Sequence, residues 1–408
     1  MFNLNIKKSD IIYWFFLTIC FFPFLNILRL PTDNQPNALI FSFFIVFLNY
    51  KTLIYHFPAK IIYFILIFVV AFILLLLSDM SITSILSFSG YISILFIPLA
   101  VFISLYKIGG LPKKFIFVII SIWGIVAFIQ RFFFTNFLSF LLYRNSGSGL
   151  MGRGVNSLAP EPTFYGSVLI LFFIIFIINY KINKNKIYIT FIFSQLFLLS
   201  LSTTSFAILL CSFIFYLIVI IFFRKFNINF ILILLFILFT IIIFIILFDN
   251  SIKTMRFYKI ANLVINNPQL ILIDESINER LNHALLPIIN FFEHYGIPMG
   301  YNNFQEYIIY KTNDASYNFL FKNINIDHYK RIMSGYGAII FELGLFAFLI
   351  PYYIYTIFKP ILYNNNYLFI FILFNLLLFT SMTFNNSMIL FVLGNVLYLQ
   401  QNNYTVSD

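Results

Sequence analysis

Only 10% of this 408-residue chain is Asp, Glu, Lys or Arg, so the places where such residues gather stand out. One gathering lies in residues 135–161, where Arg144 and Arg153 sit among glycines and serines and Glu161 stands between Pro160 and Pro162. Another lies in residues 249–335 and holds Arg256, Arg280, His283 and His294. A guanidinium pairs with phosphate or carboxylate oxygens through a planar fork, and glycine-rich backbone lets a ligand come close. A histidine or carboxylate can take a proton near neutral pH. Together these residue types offer binding of a phosphate-bearing anion beside a general base.

The spacing predicts how the second group is mounted. Ile277, Leu281, Leu285, Ile288 and Phe292 recur at three- and four-residue intervals, which predicts an amphipathic helix over 276–293. Arg280, His283, Pro287, Asn290 and His294 fall on another face, and Pro287 predicts a kink or an interruption. Ser276 with Glu279 has the capping-box pattern, which sets Arg280 near the first turn. A cation there opposes the helix dipole unless it is solvated, paired with an acid, or joined by an anion at the free amides.

His283 and His294 are candidate bases, with an ordinary packed or surface histidine as the other reading. Glu161 is either a helix-start acid or a carboxylate held over a site. Glu342 lies inside an apolar run, roughly 10 Å deep at 1.5 Å per residue, where an acid needs a partner or water. Lys253, Arg256 and Lys259 alternate with apolar residues as in an interfacial helix that grips lipid headgroups, and the same charges could attract a pyrophosphate. No third His, Asp or Glu falls at ligand spacing, and Cys20 and Cys211 are isolated in apolar runs, so neither a metal nor a disulfide is expected. No phosphate-cradling Gly-Lys-Ser/Thr loop occurs.

The rest of the chain is apolar. Hydrophobic residues make up 62% of it and the mean hydropathy is +0.96, the composition of a polytopic all-α membrane protein. Runs able to cross a bilayer number about twelve, near 11–29, 37–50, 60–78, 83–105, 115–134, 162–180, 187–201, 205–223, 228–248, 336–358, 364–381 and 386–400. Alternation puts Lys7 and Lys8 on the same side as the basic connections near 51–60, 107–114, 181–186, 224–225 and 359. By the positive-inside rule that side is cytoplasmic, both termini lie there, and the long loops 135–161 and 249–335 face outward. The net charge of +11 follows the same rule and does not call for nucleic acid. The start resembles a signal sequence without a cleavage site, and is expected to remain as the first helix.

Four short stretches carry a resemblance. Arg280 is followed after fifteen residues by Gly296, which opens Gly296-Ile-Pro-Met-Gly300. Ala159-Pro-Glu161-Pro-Thr follows the first long loop, and Phe341-Glu342-Leu-Gly344 follows the second. With the layout of spans and loops, these resemble the Wzy-type polymerases of O-antigen and capsule, relatives of the O-antigen ligases. There are departures: Arg144 to Gly154 is one residue short of the family's first-loop spacing, the Ser/Thr hairpin near Thr203 lacks an arginine, and His294 does not reproduce the ligase His-glycine pattern.

The resemblance implies a GT-C-like protein of the bacterial inner membrane. Its large external loop would carry short amphipathic helices, and its activity would join undecaprenyl-pyrophosphate-linked oligosaccharides on the periplasmic face. It implies Arg280, Arg144 or Arg153 at the pyrophosphate, Glu161 or His283 as base, and His294, Arg256 and Glu342 as further substrate contacts. It implies no cofactor, and membrane lipid, a flippase and a chain-length regulator as partners. A ligase, or a flippase or transporter of the same lipid-linked sugars, is the alternative.

Overall fold

The computed structural model describes residues 10–52, 62–145, 154–180, 186–223, 275–314, 317, 320–321 and 326–405. Among them the chain is helical, with no strand. In order the helices are α1 (Ile11–Cys20), α2 (Asn37–Leu48), α3 (Ile62–Leu77), α4 (Ile82–Ile108), α5 (Lys113–Phe132), α6 (Pro162–Asn179), α7 (Lys186–Gln195) and α8 (Thr203–Phe223). Then come α9 (Glu275–Glu293), α10 (Phe304–Thr312), α11 (Gly335–Leu343), α12 (Leu349–Phe358), α13 (Asn365–Thr380) and α14 (Ser387–Thr405). An apolar run in lipid satisfies its backbone donors and acceptors only within itself, so helix is the form these sequences take.

A helix stands in each predicted span except 228–248, which lies outside the described residues. Five helical segments are long and apolar enough to cross a membrane: α4, α5, α6, α8 and the stretch Gly335–Ile361. Six others are apolar but only 10–17 residues long. The run predicted at 11–29 stops being helical after Cys20 and continues as irregular chain to Pro36. That chain carries Asp33 to the end of the bundle where the site forms.

Helix α6 is buried nearly all round, packs against α13 and α14, and forms the axis of the bundle. Helix α14 lies along α4, crossing it where Gly394 meets Pro98. The outer helices show the opposite pattern, with Ile65, Phe72, Leu76, Ile125, Phe128, Phe215 and Phe222 exposed. A continuous apolar surface of this kind suits lipid and not water.

Two features position the site. The span predicted at 336–358 is broken at Gly344, where φ is +57° and the backbone turns through a short 3-10 stretch before α12. Only glycine fits that turn, because a Cβ would strike the Gly296 carbonyl oxygen. At Gly337 the α9 backbone comes so close that a Cβ would meet the His283 carbonyl oxygen. Helices α9 and α11 are thereby packed backbone to backbone.

Candidate active site

The end of the connection between α5 and α6 is tucked into the bundle. Residues 154–160 are buried. Ser157, at φ +54°, donates its N–H to Gln130 Oε1 (2.6 Å) and its hydroxyl to the Trp123 carbonyl (2.7 Å). The Gln130 amide donates in return to the Ser157 carbonyl (2.9 Å), and Val155 N–H to the Leu199 carbonyl (2.9 Å). This internal pairing satisfies backbone groups that lipid could not. Its product is a fixed Glu161.

Glu161 is the N-cap residue of α6, followed by Pro162 in the first turn, but its side chain makes no cap bond. The carboxylate is turned instead between two arginines. Its Oε1 lies 2.9 Å from Arg144 Nη2 and its Oε2 lies 3.2 Å from Arg280 Nη2. Arg144 also forks onto Asp33, with Nε 2.9 Å from both carboxylate oxygens and Nη2 2.8 Å from Oδ2. Four charged side chains from three distant stretches, near 33, 144–161 and 280, thus form one chain of ion pairs. Burial works against charge at Arg144, but attraction to Asp33, Glu161 and Glu279 outweighs it and holds the guanidinium above its ordinary pKa.

Helix α9 forms over nearly the predicted range. Its facing departs from that of an amphipathic helix in water: Asn278, Asn282, His283 and Asn290 are buried, while Leu285 and Phe292 are exposed. Within this inward row Asn282 Nδ2 donates to the Leu320 carbonyl (3.0 Å) and the Tyr329 hydroxyl (3.1 Å). Pro287 does not interrupt the helix.

The stretches that carry the resemblance meet in space. Leu345 N–H donates to the Gly296 carbonyl (2.9 Å), Met299 N–H to the Phe341 carbonyl (3.1 Å) and Gly300 N–H to the Glu342 carbonyl (3.3 Å). The Gly296–Gly300 segment is strapped along the Phe341–Leu345 turn, which fixes the far end of α9.

The expected site residues divide accordingly. Arg144, Glu161 and Arg280 come together. Arg153 and Arg256, with Lys253 and Lys259, lie outside the described residues. His283 is not an open base: it is fully buried, stacked on Tyr329 (ring centroids 4.9 Å apart), with Nε2 3.9 Å from Glu279 Oε1. Its imidazole fills the space between α9 and the 3-10 turn Ile326–Lys330, which closes it off from solvent. His294 is exposed at the end of α9 and its side chain joins no ion pair among the described residues, so the face it was expected to share with Arg280 does not bring it to the cluster.

Glu342 is buried apart from the cluster and accepts a 2.6 Å hydrogen bond from the Tyr91 hydroxyl of α4, the partner that sequence could not name. Two residues with charge at the site were not anticipated. Asp33 is a single acid in the short connection between two apolar runs. Arg331 lies beside Asp33 and Glu342, its pKa lowered by burial even though these acids and Tyr143 pull the other way. Neither sits in a periodic pattern. The only signal was a charge a few residues from an apolar run, and at Arg331 the adjacent Lys330 shares it.

Among the described residues no group of three or more His, Cys, Asp and Glu side chains gathers as metal ligands. The arginine–carboxylate chain can bind an anion through two guanidiniums and hold a carboxylate beside it. No family model, no curated protein and no solved structure matches this chain.

Proposed function

We propose that the protein is a membrane glycosyltransferase of the polymerase type, joining polyprenyl-pyrophosphate-linked oligosaccharide units on the outer face of the bacterial inner membrane. In this reading the chain crosses about twelve times in a GT-C-like arrangement, with both termini cytoplasmic and the Glu161 cluster at the outer face. The observation that carries the reading is Glu161 held between Arg144 and Arg280, from two long loops more than a hundred residues apart in sequence.

The chemistry follows from that arrangement. The acceptor hydroxyl oxygen attacks the anomeric carbon of the donor, the bond from that carbon to the pyrophosphate oxygen breaks, and the carrier pyrophosphate leaves. Arg144 and Arg280 supply positive charge where the leaving oxygen gains negative charge. Glu161 keeps the two guanidiniums facing each other until diphosphate oxygens take their donors. It then receives the acceptor proton. Glu342 and His294 belong to this reading only as substrate contacts away from the cluster, and Arg256, outside the described residues, only as an expected one.

Arg280→Ala and Arg280→Lys, at matched expression, test it. Both should abolish long polysaccharide chains and leave single-repeat material, because a lysine keeps the charge but not the fork. Wild-type chain lengths in both variants would remove Arg280 from the mechanism. Long chains left unattached in a null strain would mark a ligase instead, and lipid-linked units trapped inside would mark a flippase.

A further inference from the structure

Arg331 stands outside the Glu161 cluster. It follows the 3-10 turn Ile326–Lys330 and precedes Ser334, the residue that caps α11 through the Gly337 N–H (2.9 Å). Its side chain is largely buried, yet among the described residues it makes no hydrogen bond and no ion pair. The acids that face it are engaged elsewhere: Asp33 is forked by Arg144, and Glu342 is bonded by Tyr91. None of its nitrogens is a fully buried atom without a partner, so the guanidinium keeps donors open to an incoming group while Asp33 and Glu342 attract it.

The side chain opens on a narrow cleft. Its other walls include Thr32, Asn34, Ser89, Ser93 and Asn385, which come from the chain before α2, from α4 and from the turn before α14. Pro36 and Leu86 complete the lining, which is otherwise polar and carries no charge apart from Arg331. Such a lining suits a group with one negative oxygen among neutral ones.

We propose that this cleft is an oxyanion subsite in its own right, in which Arg331 takes a phosphate or carboxylate oxygen of the substrate, with the Thr32 hydroxyl as the wall donor that no hydrogen bond among the described residues uses. The proposal rests on the glycosyltransferase reading only for the source of that oxygen, either the carrier lipid's phosphate or an acidic sugar.

Thermal unfolding of the full chain in lipid nanodiscs, with farnesyl phosphate, glucuronate or glucose added, tests it. One of the two anions, and not glucose, should raise the wild-type unfolding temperature. Farnesyl phosphate as the active probe assigns the carrier, and glucuronate assigns an acidic sugar. Arg331→Gln should need at least about tenfold more of that anion for the same rise, the loss expected for a charge-assisted hydrogen bond. Arg331→Lys should fall between, and Arg280→Gln should keep part of the shift.

Without ligand, Arg331→Gln should unfold no lower than wild type, since no pair within the fold is broken. The idea is overturned if neither anion shifts the wild type, or if Arg331→Gln responds as the wild type does. A ligand-free Arg331→Gln that unfolds several degrees lower, or fails to fold, marks a structural arginine and overturns it as well. Chain length in Arg280→Ala cells is scored separately, so the polymerase reading can fail while these shifts stand.

Discussion

Two charged nodes in this molecule are built on opposite terms. Around Glu293 everything is local: Lys311 Nζ lies 2.5 Å from Oε1, and the Tyr307 and Tyr317 hydroxyls donate at 3.0 Å to Oε2 and Oε1. The partners come from within 24 residues of each other in sequence, and the lysine is further covered by the Tyr317 ring at 4.4 Å. Around Glu161 the partners are 17 and 119 residues away, and one carboxylate is shared by two guanidiniums. The Glu293 node is closed and satisfied. The Glu161 node holds strong donors in a geometry that a larger anion can take over, and that difference separates a fastening from a site.

The largest effect that bears on this contrast is expected at Glu161. Glu161→Gln should lower polymer formation by about a hundredfold or more, the range for loss of a positioned acid–base group, with little change in the amount of folded protein. Chain-length profiles at matched expression would show it, and near-normal profiles would reduce Glu161 to a fastening like Glu293. Glu293→Gln should do the reverse, lowering unfolding stability by about 1–2 kcal/mol after allowance for its partial exposure, and leaving activity per folded molecule unchanged. Denaturation followed beside activity separates the two.

Acid gives a third distinction. Burial alone would raise the Glu293 carboxyl, but hydrogen bonds from Lys311, Tyr307 and Tyr317 outweigh it and hold the group below its usual 4.5. The stabilisation is therefore fully present above that usual value and is lost as pH falls through the lowered one. In Glu293→Gln the acid limb of a stability–pH curve should lose this part, and an unchanged curve would show that the pairs contribute nothing. Gly337→Ala should cost about 1–3 kcal/mol by driving α9 off α11, and with it Arg280 off Glu161, so stability and activity fall together. The smallest effect is expected at exposed His294, whose replacement by Ala should change stability by less than about 0.5 kcal/mol and leave chain length alone. A large loss of activity would return it to the reacting groups.

Much of this was legible in the sequence because lipid imposes a simple rule. Apolar runs of sufficient length must be helices, and the described spans fall where those runs lie. The breaks were harder to see. Gly344 interrupts a run that stays apolar throughout, so hydropathy passes over it, and only the contact with Gly296 explains the turn. Helix α9 was visible from its period, but the period does not say which side is inside. Where the surroundings are apolar, the row Asn278, Asn282, His283, Asn290 can pack inward and Leu285 and Phe292 can face out. At the site, Arg144, Glu161 and Arg280 were recognisable by type and by their loops. Asp33 was not, because what joins it to Arg144 is proximity across 111 residues of chain.

The short turn at 154–160, sealed beneath Gln130, Trp123 and Leu199, sets a limit on how the proposed reaction can run. A carboxylate anchored from below does not wait for a flap to order itself when substrate arrives, so none of the binding energy is diverted to gathering it. Threading in a new unit and letting a lengthening polymer slide away must then depend on motions elsewhere. The strap between Gly296 and Leu345, where two separate segments meet through backbone bonds and the packing of Phe291 on Phe348, is the natural place to look for the slow step.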